Sequence, residues 1–452
     1  MSSLSADNLA NDPRISEAKK LLLEALADEQ SKINTIRPPI QALQEDYKKL
    51  IESFSKTRGG DLFYPYLGSG IGKGTLVELA DGSVKYDFIT GIGVHFLGHN
   101  NPKLCEALID AALSNTVMQG NLQQNRDSAE LCELLKKVSG LDCVFLTTSG
   151  VMANENALKI AFQNRFPAKR ILSFEHAFAG RSLTLSQVTD KAAFREGLPP
   201  TLLIDYIPFF DPDDPEASTR VAVTTLKKLL KRYPNDYAAM IFELVQGENG
   251  FNVGEREFFI ALMKILKEAH VLTIIDEVQT FGRTPSLFAF QHFGLEEYVD
   301  LVTIGKVSQA CATLFRSDLK PKPGLISQTF TASTSAIKTS LAIINELIHG
   351  NYYGPQGKIA QIHDRFVQHL QRMQDKDSNK ICGPFGIGAM IAFTPLQGDS
   401  AAVKKFAHKL FDAGVISFIA GQNPMRLRFL VPAGAITMDD IDRVMKLVEE
   451  NI

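Results

Sequence analysis

Four side chains near the middle of the chain have the types and spacing of a reaction site. Asp276 and Glu277 close the apolar run "LTIIDE", Gln279 follows, and Lys306 stands directly behind a second apolar run, "DLVTIGK". Burial disfavours the charged form of a lysine and so favours the neutral amine, the form that condenses with a carbonyl in Schiff-base chemistry. A carboxylate at the end of a buried strand can hold a proton or a cation in place opposite such an amine. Taken singly, an acid at a strand end is a wet loop residue and a lysine is a surface charge. Two acids, a glutamine and a lysine behind two apolar strands point instead to a site.

A sheet must position them. Between residues 104 and 345, short apolar runs ("CVFLTT", "RILSFE", "TLLIDYI", "YAAMIFE", "VLTIID", "DLVTIG") alternate with helical ones ("ANENALKIAFQNR", "REFFIALMKILKEA"). The alternation predicts an α/β fold with a mostly parallel central sheet covered by helices. Ligands of such sheets collect beyond the carboxyl ends of the strands, where Asp276 and Lys306 fall. Residues 1–59 read as a helical arm, with helices over 14–31 and 41–55 separated by the prolines of "NTIRPPI". Residues 60–103, with a hairpin signal at Asp81-Gly82, form the first part of a small α+β domain. Residues 104–345 make the large domain, and 346–452 the rest of the small one.

Composition narrows the function classes. A chain of 452 residues exceeds one ordinary core, and 45% apolar with 22% charged residues is globular. A net charge of -3 leaves no basic stripe for nucleic acid. The five cysteines show no C-x-x-C spacing and read as reduced thiols, with no metal expected. The first twenty residues lack the basic-then-apolar pattern of an export signal, and no run of about eighteen apolar residues occurs. The expectation is a cytoplasmic protein that engages neither nucleic acid nor membrane.

Other motifs have a plain and a functional reading. "LGSGIGKGTL" has the wrong spacing for a Walker loop and reads as a glycine-rich turn. Ser149-Gly150 lies between a strand and a helix, where Ser is a common cap but where free N–H groups also receive an anion. Phe178, near a strand end in "SFEHAFAGRS", is a core residue or a stacking surface for a planar ligand. Glu243, Gln246 and Glu248 in "IFELVQGENG" are turn residues or a second acidic group at the same sheet edge.

Together these stretches resemble the class III aminotransferases, pyridoxal 5′-phosphate enzymes of fold type I that include ornithine, acetylornithine, 4-aminobutyrate and lysine 6-aminotransferases. The likeness spans roughly 60–450, through "DGSVKYDFITGIGVHFLGHNNPKL", "TSGVMANENALKIA", "ELVQGENG", "IIDEVQTFGRTPSLFAFQHFG" and "DLVTIGK" in order. It implies that Lys306 forms the Schiff base with the cofactor and then shuttles protons, while Asp276 keeps the ring nitrogen protonated. Gln279 would meet the phenolic oxygen, Phe178 stack on the ring, and Ser149, Gly150 and Val151 hold the phosphate, with Glu243 also at the cofactor. The resemblance further implies that Thr329 reaches the phosphate of a neighbouring subunit in an obligate homodimer. Arg428 would pair with a substrate α-carboxylate, and Glu248 would mask that arginine when a terminal amine is presented.

The resemblance implies transfer of the terminal amine of a diamino or ω-amino acid, such as lysine or ornithine, to 2-oxoglutarate by a ping-pong route. The alternatives are acetylornithine or 4-aminobutyrate transamination, an aminomutase, and a non-catalytic relative serving as a binding or structural subunit. The chain departs from the family pattern at four places, one of them the glycine-rich run that is missing beyond Lys306. Phe281 follows Thr280 with the usual glycine missing, Ala179 stands between Phe178 and Gly180, and Thr331-Ala332-Ser333 replaces Gly-Gly-Asn. "KVSQACATLF" and "HAFAGRSLTLS" look closest to the lysine 6-aminotransferases.

Overall fold

The computed structural model describes residues 4–115, 117, 118 and 120–452. Its largest sheet has seven strands in the order Cys143–Thr147, Cys311–Phe315, Leu301–Ile304, Leu272–Glu277, Tyr237–Phe242, Arg170–Phe174, Leu203–Ile207. The predicted parallel pairing holds from Leu301–Ile304 to Leu203–Ile207. Cys311–Phe315 runs antiparallel to both its neighbours. The cause is connection length: residues 305–310 are too few for the crossover that a parallel strand requires.

Strand residues alternate between two apolar clusters, one on each face of the sheet. Ile171, Ala239, Ile241, Ile274 and Leu301 pack with Ala157, Leu158 and Ala161 of the helix Gly150–Asn164. Leu172, Met240, Phe242, Ile275 and Val302 face the other way, toward Phe258, Phe259 and Leu262 of the helix Arg256–Glu268. Ring centroids of Phe174 and Phe242 are 5.3 Å apart, and Phe174 stacks on Phe258 at 5.6 Å. Burial on both faces explains why these strands read as unbroken apolar runs. Asp276 and Glu277 close the carboxyl end of their strand, where the site lies.

The smaller sheets join the two ends of the described chain. Gly68–Lys73, Leu76–Leu79 and Val84–Asp87 pair antiparallel, and Val415–Ile416 adds parallel to Val84–Asp87. At the expected hairpin, Asp81 Oδ1 accepts from the Ser83 amide at 2.8 Å, and Gly82 supplies the left-handed φ of 78°. A second sheet, in the order Ile381–Ile387, Met390–Pro395, Arg426–Leu430, Phe418–Ala420, carries Arg428.

The arm carries the helices Ser5–Ala10, Pro13–Gln30 and Gln44–Arg58, the last extended past the expected end because its polar helical pattern runs on to a left-handed Gly59. Lys19 holds Asp110 at 2.8 Å and Gln30 donates to the Gly72 carbonyl at 2.7 Å, while Leu21, Leu22, Leu50 and Phe54 remain exposed.

Candidate active site

Asp276 and Glu277 are adjacent on one strand, so their side chains point to opposite faces. Glu277 is fully enclosed and serves the fold: it accepts from the Phe290 amide at 2.8 Å and from the Thr280 hydroxyl. Burial pushes its carboxyl up to about 7. The loop that lacks a glycine after Thr280 closes as a turn, with the Phe281 amide on the Glu277 carbonyl at 3.0 Å and Phe281 fully buried.

Asp276 instead opens into a cavity of 230 Å³ that also receives Ser149, Gly150, Val151, Phe178, Glu243, Gln279 and Lys306. One of its oxygens accepts from the Val278 amide at 2.9 Å, the other from Asn154 Nδ2 at 2.7 Å. Burial raises its pKa, and these donors oppose the rise. Both donors are neutral, so the buried carboxylate retains lone pairs for a charged proton donor in the cavity. Asn154 is fixed in turn: Thr303 donates to its Oδ1 at 2.7 Å, and its Nδ2 also reaches the Ala179 carbonyl at 2.8 Å. Sequence reasoning missed Asn154. Its signal was a polar residue on the buried side of the helix, one turn after Gly150.

Lys306 lies just past the strand Leu301–Ile304, in a short turn over Lys306–Ser308, and its backbone is left-handed at φ 51°. A non-glycine residue there costs about 1–3 kcal/mol and marks a position held by its surroundings. Gln309 helps to hold it, donating from its side chain to the Lys306 carbonyl at 3.2 Å. Burial lowers the pKa of the Lys306 amine, and the carboxylates of Asp276, Glu248 and Glu243 oppose that shift.

Ser149 caps the helix Gly150–Asn164, its hydroxyl accepting from the Met152 amide at 3.2 Å. Its plain reading is therefore correct, and it lines the cavity as well. The Gly150 and Val151 amides, at the first helical positions, lack intrahelical acceptors and form an anion cradle. A Cβ on Gly150 would stand 2.7 Å from Val278 Cγ1, so glycine is what permits the strand-end loop to approach.

Phe178 is half-buried and outside both apolar clusters. Its amide donates to Glu243 at 3.0 Å, and the other Glu243 oxygen accepts from the Gly247 amide at 2.9 Å. Glu243 thus fixes two cavity loops through backbone groups. Burial, reinforced by the charge of Asp276, pushes its carboxyl up to about 8. Gln279 is buried, with its side-chain oxygen unpartnered.

Arg428 is fully buried and is covered by Glu248: Nη2 lies 2.5 Å from Glu248 Oε1, and Nη1 donates to the Gly247 carbonyl at 2.9 Å. Glu248 also walls a second cavity of 380 Å³, which shares Phe178 with the first. Thr329 is exposed and lines neither cavity.

An enclosed carboxylate whose hydrogen-bond donors are all neutral, a buried glutamine side chain and a helix start with free N–H groups together suit a flat ring bearing a protonated nitrogen, an oxygen and a phosphate. Pyridoxal 5′-phosphate is such a group, and the residues present fit it. A helix-flanked α/β sheet with this lysine, carboxylate and cradle at its carboxyl edge defines a pyridoxal-phosphate enzyme of fold type I.

The chain belongs to the class III aminotransferases, whose family model, described as aminotransferase class-III, matches residues 69–452. It is a pyridoxal-phosphate-dependent transaminase. The acetylornithine aminotransferase of Archaeoglobus fulgidus is 31% identical over 384 residues, covering 83% of this chain and 93% of that protein. The one from Methanocaldococcus jannaschii is 30% identical over 399 residues, 84% of this chain and 92% of that protein.

Among solved structures, lysine aminotransferase from M. tuberculosis superposes with a TM-score of 0.79 at 22% identity, covering 89% of this chain and 99% of that one. Ornithine aminotransferase from Toxoplasma gondii gives 0.76 at 24% identity, covering 88% and 94%. These two likenesses establish a shared fold. Among the described residues, no helix is long and apolar enough to cross a membrane.

Proposed function

We propose that the protein transfers the terminal amino group of a lysine- or ornithine-like amino acid to 2-oxoglutarate, by a ping-pong exchange in a homodimer. One observation carries the reading: Glu248 covers Arg428 at 2.5 Å. A donor that presents its distal amine needs no α-carboxylate contact at Arg428 and finds the arginine neutralised. An α-keto acid does need that contact and must displace Glu248 to obtain the planar fork. One site can thus serve two substrates of opposite orientation.

When bound, pyridoxal phosphate supplies an aldehyde that captures amines and a ring that accepts electrons from the substrate carbon. The Gly150 and Val151 amides would hold its phosphate, Phe178 would cover the ring and Gln279 would meet the ring oxygen. Asp276, oriented by Asn154 and Val278, would retain the proton on the ring nitrogen by favouring the cationic form. Lys306 Nζ, made more readily neutral by burial, would be the nucleophile that anchors the cofactor. The same neutral amine would take and return a proton at the reacting carbon. Glu243 positions the Phe178 and Gly247 backbones rather than reacting. The exposed Thr329, outside its own chain's cavities, suits a phosphate contact in the partner's site.

The test is a donor panel of lysine, ornithine, N-acetylornithine and 4-aminobutyrate with 2-oxoglutarate as acceptor. Glutamate formation with lysine or ornithine is expected. Transfer from N-acetylornithine alone would establish the second reading, which the acetylornithine aminotransferase relatives favour. No transfer from any terminal amine would overturn both.

A further inference from the structure

Arg426 lies two residues before Arg428 on the strand Arg426–Leu430, so both project from one strand face toward the loop 247–252. The two guanidiniums are treated differently. Arg428 has a carboxylate on it; Arg426 has none, and its hydrogen bonds go to the Gly250 carbonyl at 2.7 Å and Asn252 Oδ1 at 2.8 Å, both from Nη1. Among the described residues, Nε and Nη2 make no protein hydrogen bond, and that edge of the fork is free to take a planar anion.

The surroundings hold this fork in place. The guanidinium carbon sits 3.4 Å from the centroid of Phe385, a stacked arrangement. Gly250, left-handed at φ 82°, leaves room for the side chain, and a Cβ there would meet Arg426 Cδ at 2.7 Å. Burial brings the pKa of Arg426 down to about 10, the mark of a cation removed from water without a matching charge. The side chain lines the 380 Å³ cavity, together with Phe178 and Glu248. That cavity therefore holds a prepositioned cation next to the cofactor cavity.

We propose that Arg426 is a further specificity-determining residue that binds the carboxylate at the unreactive end of the amino donor. The proposal rests on the terminal-amine reading above. While Glu248 occupies Arg428, a donor entering amine first finds Arg426 to be the next cation on the same strand face. The substrate class this selects is an amino acid whose reacting amine and carboxylate lie at opposite ends, over the corresponding diamine.

The experiment compares lysine with 1,5-diaminopentane, which lacks the carboxylate, in wild-type holoenzyme and in Arg426→Gln. The expected result is a rise in KM for lysine of about tenfold or more, with kcat nearly unchanged and kcat/KM for the diamine unaffected. Equal losses on both donors would show a merely structural role, and no change on either would also overturn the proposal. If Arg426→Gln fails to fold, Arg426→Lys, which keeps the charge and loses the planar fork, is expected to show the same selective loss.

Calorimetric titration of hexanoate, a carboxylate with no amine, judges the residue independently of turnover. Weakening of about tenfold in Arg426→Gln, against unchanged binding of hexylamine, is expected, and unchanged hexanoate affinity would refute the assignment. A wild-type enzyme that moves no terminal amine defeats the proposed function, and the hexanoate titration then still decides on Arg426.

Discussion

Replacing Glu248 with alanine uncovers Arg428 and should invert the balance between the enzyme's two kinds of amino donor. The bond removed is charge-assisted, 2.5 Å long, and made to a guanidinium that is fully buried. Such bonds contribute about 1.5–3 kcal/mol, and because Glu248 keeps 25% of its side chain exposed the lower part of that range, about 1.5–2 kcal/mol, applies. Any α-carboxylate that seeks Arg428 must first break this contact. At about 1.4 kcal/mol per tenfold, its removal returns roughly ten- to thirtyfold of affinity to α-carboxylates. The assay measures kcat/KM for glutamate, which presents its α-amine, and for lysine. The ratio should move by about ten- to thirtyfold toward glutamate. A Glu248→Ala protein that folds, binds cofactor and keeps the wild-type ratio would refute the masking argument. Stability should fall by about 1–3 kcal/mol, since Arg428 then lies buried with a single backbone acceptor.

Three further outcomes follow from the geometry. Asn154→Ala removes the 2.7 Å donor from Asp276 and leaves Thr303 without its acceptor; turnover should fall by about tenfold and stability by about 1–3 kcal/mol, read by steady-state kinetics and urea denaturation. Glu243, pushed from 4.5 up to about 8, is favoured as the neutral acid in the fold. The stability it contributes is therefore full below pH 4.5 and is lost as pH rises toward 8, with a slope of at most about 1.4 kcal/mol per unit. Denaturation of ligand-free protein across that window should show a shallower decline for Glu243→Gln, and an identical profile would count against the shift. Removal of residues 1–59, whose Leu21, Leu22, Leu50 and Phe54 stand exposed, should weaken the proposed dimer; unchanged mass by light scattering would dismiss the arm as a subunit contact.

What the sequence disclosed and what it withheld divide along the range of the interactions. Strand ends, the Asp81-Gly82 turn and the buried helix faces are local patterns, and the acids and the lysine were legible because apolar runs stop at them. Asn154 was not, since its meaning depends on Asp276, 122 residues away. The differing roles of Asp276 and Glu277 required knowledge of which sheet face each one meets. The antiparallel strand Cys311–Phe315 was implicit in the short connection after Lys306, although "KVSQACATLF" drew notice for its resemblance rather than for its length. Arg426 carried no local signal, because its free edge and its stacking on Phe385 arise from strands far apart in the chain.

The central claim is that one buried amine, Lys306, opposite Asp276, anchors the cofactor. Borohydride reduction of enzyme loaded with pyridoxal phosphate, followed by peptide mass mapping, tests it directly. A pyridoxyl group is expected on the peptide containing Lys306, and none there in Lys306→Ala, which should also transfer no amine. A label on another lysine, or turnover that survives Lys306→Ala, would contradict it.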